Sequence, residues 1–184
     1  SQGLRLLRAL LAQRGYSFTD LSPSGNVVAL NERLKFRHLD TSTRLGPCVG
    51  SVGKLMGIGL NYAEHAAETG AKIPTEPVLF MKATTAINGP NDDIVLPRGS
   101  TSTDWEAELG LVIGTTARYV NEADALSHLA GYVTFHDVSE RDFQKNRGGT
   151  WDKGKGCDTF GPIGPWLVTA DEVPDPQNLG MWLE

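Results

Sequence analysis

Cysteine and long apolar runs are the features this sequence has least of. Only Cys48 and Cys157 occur among 184 residues, too few for a disulfide scaffold or a clustered zinc site, and a reducing cytoplasm is the expected compartment. No apolar run approaches the ~20 residues that cross a bilayer, so a membrane protein is not expected. A net charge of −5 argues against nucleic-acid binding, which normally needs a basic field.

The remaining composition is that of an ordinary globular protein. Hydrophobic residues make up 40 % and charged residues 21 % of the chain, which is the usual mixture for a soluble domain. Three arginines precede the first acidic residue, Asp20, a pattern shared by transit peptides and membrane-surface helices. An amphipathic terminal helix over Leu4–Ala12, packed through its leucines, is the favoured reading. A weak strand is predicted at Val27–Leu30.

Short strands separated by glycine and proline turns dominate the chain after Cys48. A helix is predicted over Asn61–Gly70, ending at a glycine, and a second over Ala123–Ala130. The predicted strands are Val78–Lys82, Ile94–Leu96, Trp105–Gly114, Gly131–Val138, Trp166–Thr169 and Met181–Leu183. A flexible glycine-rich loop is expected over Arg147–Gly164. This pattern indicates an α+β, β-rich fold.

Two glutamates, Glu106 and Glu108, lie two residues apart in the predicted strand Trp105–Gly114. Side chains alternate along a strand, so both carboxylates project from one face, while Trp105, Ala107, Leu109, Leu111 and Ile113 are expected to face the core. Paired like charges repel, and a bound cation relieves that repulsion. A merely solvated polar face is the alternative for a bare Glu-x-Glu pair.

A third carboxylate, Asp137, stands at the end of the next long strand and favours the cation. Three carboxylates without a thiolate suit a hard ion such as Mg²⁺, Mn²⁺ or Ca²⁺. The neighbouring His136 is expected to point the opposite way along the strand and not to share the ion.

Two further groups are candidates for catalysis. His65 and Glu68 are i, i+3 neighbours on the predicted helix, a spacing at which a carboxylate can orient an imidazole as a general base for water; an idle surface pair is the alternative. Gly149–Gly156 approaches a phosphate-binding loop, but Gly156 replaces the required Ser/Thr. We reject that motif and retain Lys153 and Lys155 as groups that could grip a carboxylate or enolate.

Five segments, read in order, resemble the fumarylacetoacetate hydrolase family: GLNYAEHAAETG, EPVLFMKATTAINGP, TDWEAELGLVIG, GYVTFHDVSERDFQ and WDKGKGCDTFGPIGPWLVT. The resemblance is greatest to the bacterial branch of 2,4-diketo-3-deoxy-L-fuconate hydrolases and relatives named ureidoglycolate lyases. It covers residues 45–184, with 1–44 as a poorly matched N-terminal segment. It implies a mixed β-sandwich or β-roll catalytic domain and a homodimer.

The resemblance assigns roles to particular residues. It implies that Glu106, Glu108 and Asp137 bind Mg²⁺ or Mn²⁺. His65 and Glu68 correspond to a water-activating pair on a lid helix, and Lys155 to a catalytic lysine. Substrate-binding roles for Lys82, Arg141 and Gln144 rest on the resemblance alone.

The sequence departs from the family pattern at two points. His136 stands where the family usually has Asn, so a hydrogen bond near the metal is expected to differ. The family's G-T-P-x-G loop does not occur here, and members continue for about a hundred residues beyond the last matching segment. The catalytic domain is therefore expected to be incomplete at its C-terminus, with exposed strand edges and apolar surface.

The predicted function is metal-assisted hydrolysis of a C–C bond in a small anionic 2,4-dioxo acid. A metal-dependent lyase or decarboxylase acting on an oxo acid such as oxaloacetate or ureidoglycolate is the near alternative, since it needs the ion but not a water-activating pair. A truncated, non-catalytic homologue is the more distant one.

Overall fold

The computed structural model of the chain describes residues 42–184. The predicted helix Leu4–Ala12 and strand Val27–Leu30 lie outside these residues. None of the helices between residues 42 and 184 has the length and apolar character to cross a membrane.

Residues 42–184 contain nine short strands and four short helices. The strands are β1 (Leu55–Gly59), β2 (Val78–Lys82), β3 (Ile87–Asn88), β4 (Thr103–Asp104), β5 (Ala107–Ile113), β6 (Leu129–His136), β7 (Ser139–Glu140), β8 (Gly161–Pro162) and β9 (Val168–Thr169). The helices are α1 (Ala63–Glu68), α2 (Glu122–Ala125), α3 (Arg141–Asn146) and α4 (Asp152–Lys155). Single 3-10 turns cover Thr84–Ala86, Leu126–His128 and Ala170–Glu172. The α+β, strand-rich class predicted from the sequence is confirmed.

Four small sheets hold these strands together. Strand β1 pairs with β2 in antiparallel register, with Leu55 opposite Lys82, and the connection between them carries α1. Strands β3 and β8 pair in parallel, β4 pairs with β7 in antiparallel fashion, and β6 lies between β5 and β9. Two compact units follow from these contacts. One comprises 42–44, 111–132 and 168–179 of the described residues, and the other comprises 45–110, 133–167 and 180–184.

Helix α1 ends where the sequence predicts that it should. Gly70 has a φ of +65°, a conformation open to glycine at little cost. Its N–H donates to Ala67 O at 3.2 Å, and the N–H of Ala71 donates to Ala66 O at 2.9 Å. These two bonds satisfy carbonyls that the last turn of a helix leaves free. The helix is shorter than the predicted Asn61–Gly70, because both ends of that range are capping residues.

Aromatic and β-branched side chains form the core of the unit that contains residues 45–110. Phe80, Val133, Phe135 and Phe160 are all buried there. Gly57, opposite Phe80 on β1, makes room for its ring, since a Cβ at this position would lie 2.2 Å from Phe80 Cζ. Strand β2 therefore buries Phe80 and Lys82 on one face and exposes Leu79 and Met81 on the other.

Several predicted elements are wrong. Residues 94–96 and 181–183 form no strand, and the predicted flexible loop Arg147–Gly164 contains α4 and β8. Leu111, Ile113 and Trp105 were expected to face the core, but they are 54 %, 57 % and 68 % exposed. Alternation along a strand sets which side chains share a face, but only the element packed on that face buries them. Glu106 precedes β5 rather than lying within it.

Candidate functional site

Backbone pairing brings Glu106 and Asp137 together just beyond the ends of β5 and β6. The N–H of Asp137 donates to the carbonyl oxygen of Glu106 at 3.0 Å, continuing the pairing of the two strands by one residue on each. Two carboxylates from segments thirty residues apart in sequence thus become neighbours.

Lys155 bridges the two carboxylates. Its Nζ lies 2.7 Å from Glu106 Oε2 and 2.7 Å from Asp137 Oδ2, and 5.1 Å from the centre of the Phe80 ring. The residue is only 2 % exposed. Burial strengthens each of these charge interactions, because little water is present to screen them.

Lys82 binds the other oxygen of Asp137. Its Nζ is 2.5 Å from Asp137 Oδ1 and 3.1 Å from the carbonyl oxygen of Val138. Burial lowers the pKa of Lys82, while the Asp137 carboxylate opposes that shift. Asp137 therefore has an ammonium group on each of its two oxygens.

Arg141 closes the cluster from the first turn of α3. Its Nη2 lies 2.6 Å from Glu106 Oε1 and 2.7 Å from Asp104 Oδ2, and its Nη1 donates to Gln144 Oε1 at 3.0 Å. The Arg141 side chain retains 21 % exposure. It is therefore the one of the three cations that reaches toward solvent.

Glu108 lies beside the cluster, and within residues 42–184 no lysine, arginine or histidine forms an ion pair with it. Burial raises its pKa to about 7, and the charges of Glu106 and Asp137 push it in the same direction, whereas a hydrogen bond from the Tyr62 hydroxyl and the charge of Lys155 oppose the shift. A half-buried carboxylate held among like charges is the electrostatic environment in which a further cation is favoured.

A short helix, not a flexible loop, positions Lys155. Helix α4 packs on α3 so closely that a Cβ on Gly154 would lie 2.3 Å from Glu140 O and 2.6 Å from the Cβ of Gln144. The predicted role of Lys155 in gripping a carboxylate is consistent with this geometry. Lys153, its partner in that prediction, donates instead to the carbonyl oxygen of Arg147 at 2.7 Å.

Glu140 is a buried carboxylate that sequence reasoning missed. It is fully buried and accepts hydrogen bonds from Ser100 Oγ, Thr103 Oγ1 and the N–H groups of Ser102 and Asp142. Burial raises its pKa, but the hydrogen bonds from Ser100, Ser102, Asp142 and Thr103 outweigh this and leave the pKa lowered. Its place directly before α3, where an acidic residue caps a helix, was the available signal.

His65 and Glu68 lie on α1 as predicted, and both side chains are exposed. Within residues 42–184 no hydrogen bond or ion pair joins their side chains to each other or to the carboxylate cluster. The imidazole–carboxylate contact required of a water-activating pair remains a prediction. His136 Nδ1 is buried and makes no hydrogen bond in the described part of the chain, and burial lowers the pKa of this histidine.

Glu106, Glu108 and Asp137 are all carboxylates, the ligand type that a hard divalent cation prefers. Between residues 42 and 184, no three His, Cys, Asp or Glu side chains are grouped closely enough to hold a metal ion. Lys155 Nζ lies 2.7 Å from both Glu106 and Asp137, so an ammonium group lies where a cation shared by these two carboxylates would bind.

Comparison with known proteins identifies the family of the chain. Residues 54–184 match the family described as fumarylacetoacetate (FAA) hydrolase C-terminal. The chain belongs to the fumarylacetoacetate hydrolase family. A relative from Burkholderia ambifaria (strain MC40-6), named "Putative hydrolase", is 58 % identical over 169 residues, which are 88 % of this chain and 60 % of that protein.

Two of the solved structures with the same fold are named as isomerases. The 5-carboxymethyl-2-hydroxymuconate delta-isomerase of Mycobacterium smegmatis has a TM-score of 0.68 and 37 % identity, over 84 % of this chain and 61 % of that one. The 2-hydroxyhepta-2,4-diene-1,7-dioate isomerase of Mycobacterium marinum has a TM-score of 0.65 and 36 % identity, over 79 % and 55 %. The chain thus spans somewhat more than half the length of the relatives it matches.

Proposed function

We propose that this chain supplies the catalytic carboxylates and lysines of a metal-dependent hydrolase that cleaves a C–C bond in a small 2,4-dioxo, acylpyruvate-type acid. The observation that supports it is the convergence of Glu106 and Asp137 on Lys155, with Glu108 beside them. The same cluster contains carboxylates that could bind a metal cation and cationic side chains that could bind an anionic substrate. We also propose that the chain belongs to the 2,4-diketo-3-deoxy-L-fuconate hydrolase branch of the family.

Glu106, Glu108 and Asp137 would hold Mg²⁺ or Mn²⁺. The bound ion supplies a Lewis acid for the oxygens of a 2-oxo acid and for the enolate that leaves. Substrate carboxylate binding falls to Arg141, whose guanidinium is the most exposed of the three cations. Gln144 orients that guanidinium through its side-chain oxygen.

Lys155 and Lys82 keep positive charge where the enolate oxygen would develop. Both side chains are almost fully buried, so their charge acts with little screening and without reorganisation at the moment of reaction. Their ion pairs with Asp137 fix the two ammonium groups in place before substrate arrives.

His65 would take the proton of the attacking water, with Glu68 orienting the ring. Both lie exposed on α1, so the helix would have to close toward the carboxylates to act, as lid segments do in other enzymes. The proposed enzyme is a cytoplasmic homodimer that acts on a small anionic oxo acid. It binds neither nucleic acid nor a membrane.

An isomerase is the second candidate, favoured by the names of the two solved mycobacterial relatives. Isomerisation of an unsaturated dioate, like a lyase or decarboxylase reaction, needs the electrophilic site but no attacking water. His65 therefore separates the candidates. A non-catalytic homologue would show neither reaction.

The test is turnover of 2,4-dioxo acids, oxaloacetate, ureidoglycolate and unsaturated dioates with Mg²⁺ and Mn²⁺, for the parent protein, two site variants and one control variant. Glu106→Gln should abolish Mn²⁺ binding and activity together, and Glu122→Gln, on exposed α2, is the matched control. His65→Asn should abolish hydrolysis but spare isomerisation or decarboxylation. Turnover retained by Glu106→Gln without metal would refute the ligand assignment.

A further inference from the structure

Three side-chain oxygens of the chain itself hold the guanidinium of Arg141. Its Nη2 donates to Glu106 Oε1 at 2.6 Å, its Nη1 donates to Gln144 Oε1 at 3.0 Å, and its Nε donates to Asp104 Oδ2 at 2.8 Å. The same Asp104 oxygen lies 2.7 Å from Nη2. A carboxylate that binds a guanidinium in the usual paired way uses two adjacent N–H groups, so a ligand that binds Arg141 in this way has to displace one of these partners.

The three partners differ in how firmly they are held. The Glu106 side chain is 18 % exposed and also pairs with Lys155, and Gln144 is buried. The Asp104 side chain is 44 % exposed, and its other oxygen accepts a hydrogen bond from the neighbouring backbone N–H of Trp105 at 3.0 Å. Asp104 is therefore the partner that a ligand can reach and displace, since a rotation of its side chain alone releases Arg141.

The contact between Asp104 and Arg141 also uses the guanidinium incompletely. Nε and Nη2 form one edge of the group, and this edge binds a carboxylate most strongly when each nitrogen donates to its own oxygen. Asp104 presents a single oxygen to both nitrogens. A ligand carboxylate with one oxygen on each nitrogen would make one more charge-assisted hydrogen bond than Asp104 does.

We propose that Asp104 is a specificity-determining residue that competes with the substrate carboxylate for the Nε–Nη2 edge of Arg141. This inference rests on the proposed function in so far as Arg141 binds the substrate. A ligand with a full carboxylate displaces Asp104, whereas an anion that offers one oxygen does not. Removing Asp104 frees the edge, while Glu106 and Gln144 still orient the guanidinium.

The experiment measures oxalate binding by calorimetry in buffer without divalent metal, for the full chain. Oxalate is the probe because it is a small planar dicarboxylate that mimics the oxo-acid group of the proposed substrates. Asp104→Ala should bind oxalate about tenfold more tightly than the parent, since one hydrogen bond between charged groups typically contributes a factor of about ten or more. Asp93→Ala, which removes the same charge at an exposed position, should stay within about twofold of the parent.

The sign of the change decides the inference. Weaker binding by Asp104→Ala would make Asp104 a support for Arg141, and equal binding, or none in either protein, would show that it does not compete; each result overturns the proposal. A fall in melting temperature alone would not, because a purely structural aspartate predicts no gain in affinity.

A double-mutant cycle with Arg141→Gln separates competition from a general effect of charge. Asp104→Ala should produce no gain in the Arg141→Gln background, because the edge that it frees is absent there. A tenfold gain that persisted without Arg141 would overturn the proposal. The binding measurement needs neither metal nor turnover, so a protein that hydrolysed no dioxo acid would refute the proposed function and leave this result to stand by itself.

Discussion

Replacing Glu140 tests whether one carboxylate holds the cluster's framework in place. Glu140→Ala leaves two backbone donors, Ser102 N and Asp142 N, without the acceptor that they reach at 3.1 Å. An orphaned buried donor costs about 1–3 kcal/mol. Since Ser102 is exposed and water can replace the acceptor there, the expected loss is about 1–3 kcal/mol. The hydroxyls of Ser100 and Thr103 add little, because they lie 2.7 Å apart and can pair with each other.

Glu140→Gln should cost less, about 1–2 kcal/mol, since it keeps the shape and one acceptor oxygen and loses the stronger charge-assisted bonds. Urea unfolding at pH 7 measures both losses. Glu76→Gln, at an exposed position, is the control and should stay within about 0.5 kcal/mol of the parent. A Glu140→Ala loss below about 1 kcal/mol would refute the assignment of the carboxylate as the main acceptor.

The pH dependence gives an independent check. The folded-state pKa of Glu140 is lowered, so its contribution to stability is present above the ordinary glutamate value of about 4.3. It is lost as the pH falls through the lower folded-state pKa. The stability gap between parent and Glu140→Gln should therefore be constant from about pH 8 to 5 and shrink below about pH 4. A gap that widens in acid would contradict the reasoning.

Two further substitutions probe the packing and charge of the site. Gly154→Ala should destabilise the protein by about 1–3 kcal/mol, because its Cβ would overlap Glu140 O; Gly46→Ala, with nothing within 4 Å, should not, and equal melting temperatures would contradict the close contact. Lys155→Met should lower the melting temperature by leaving Asp137 and Glu106 without their shared ammonium, a loss of about 3–5 kcal/mol for a buried pair. Added Mn²⁺ should recover more stability in that variant than in the parent, and an equal metal-induced shift in both would count against a shared cation position.

The sequence predicts the fold class correctly, whereas the cation-binding role of its candidate site stays a prediction. Alternation and strand boundaries single out Glu106, Glu108 and Asp137, and in the structure a backbone hydrogen bond joins Asp137 to Glu106. Strand β2 was predicted with its observed limits, since a compact apolar run ending in lysine has few other readings.

Non-local packing explains what the sequence could not show. Nothing local distinguishes Lys155, buried in α4, from its exposed neighbour Lys153, and the difference arises because α4 packs on α3 at Gly154. The burial of Leu111 was overestimated for the same reason, since alternation does not reveal what covers a face. Three partners of Glu140 lie about forty residues away, Ser100, Ser102 and Thr103, and only its contact with the N–H of Asp142 is local.

The stretch from Asp137 to Gln144 joins tasks that enzymes often distribute over separate loops. Asp137, Arg141 and Gln144 each contribute to the cluster, and the buried Glu140 among them fixes the backbone that they share. An insertion or a one-residue shift here would displace all of these groups at once. Engineered changes of selectivity are therefore better sought in exposed segments such as α1, where single substitutions leave that shared backbone untouched.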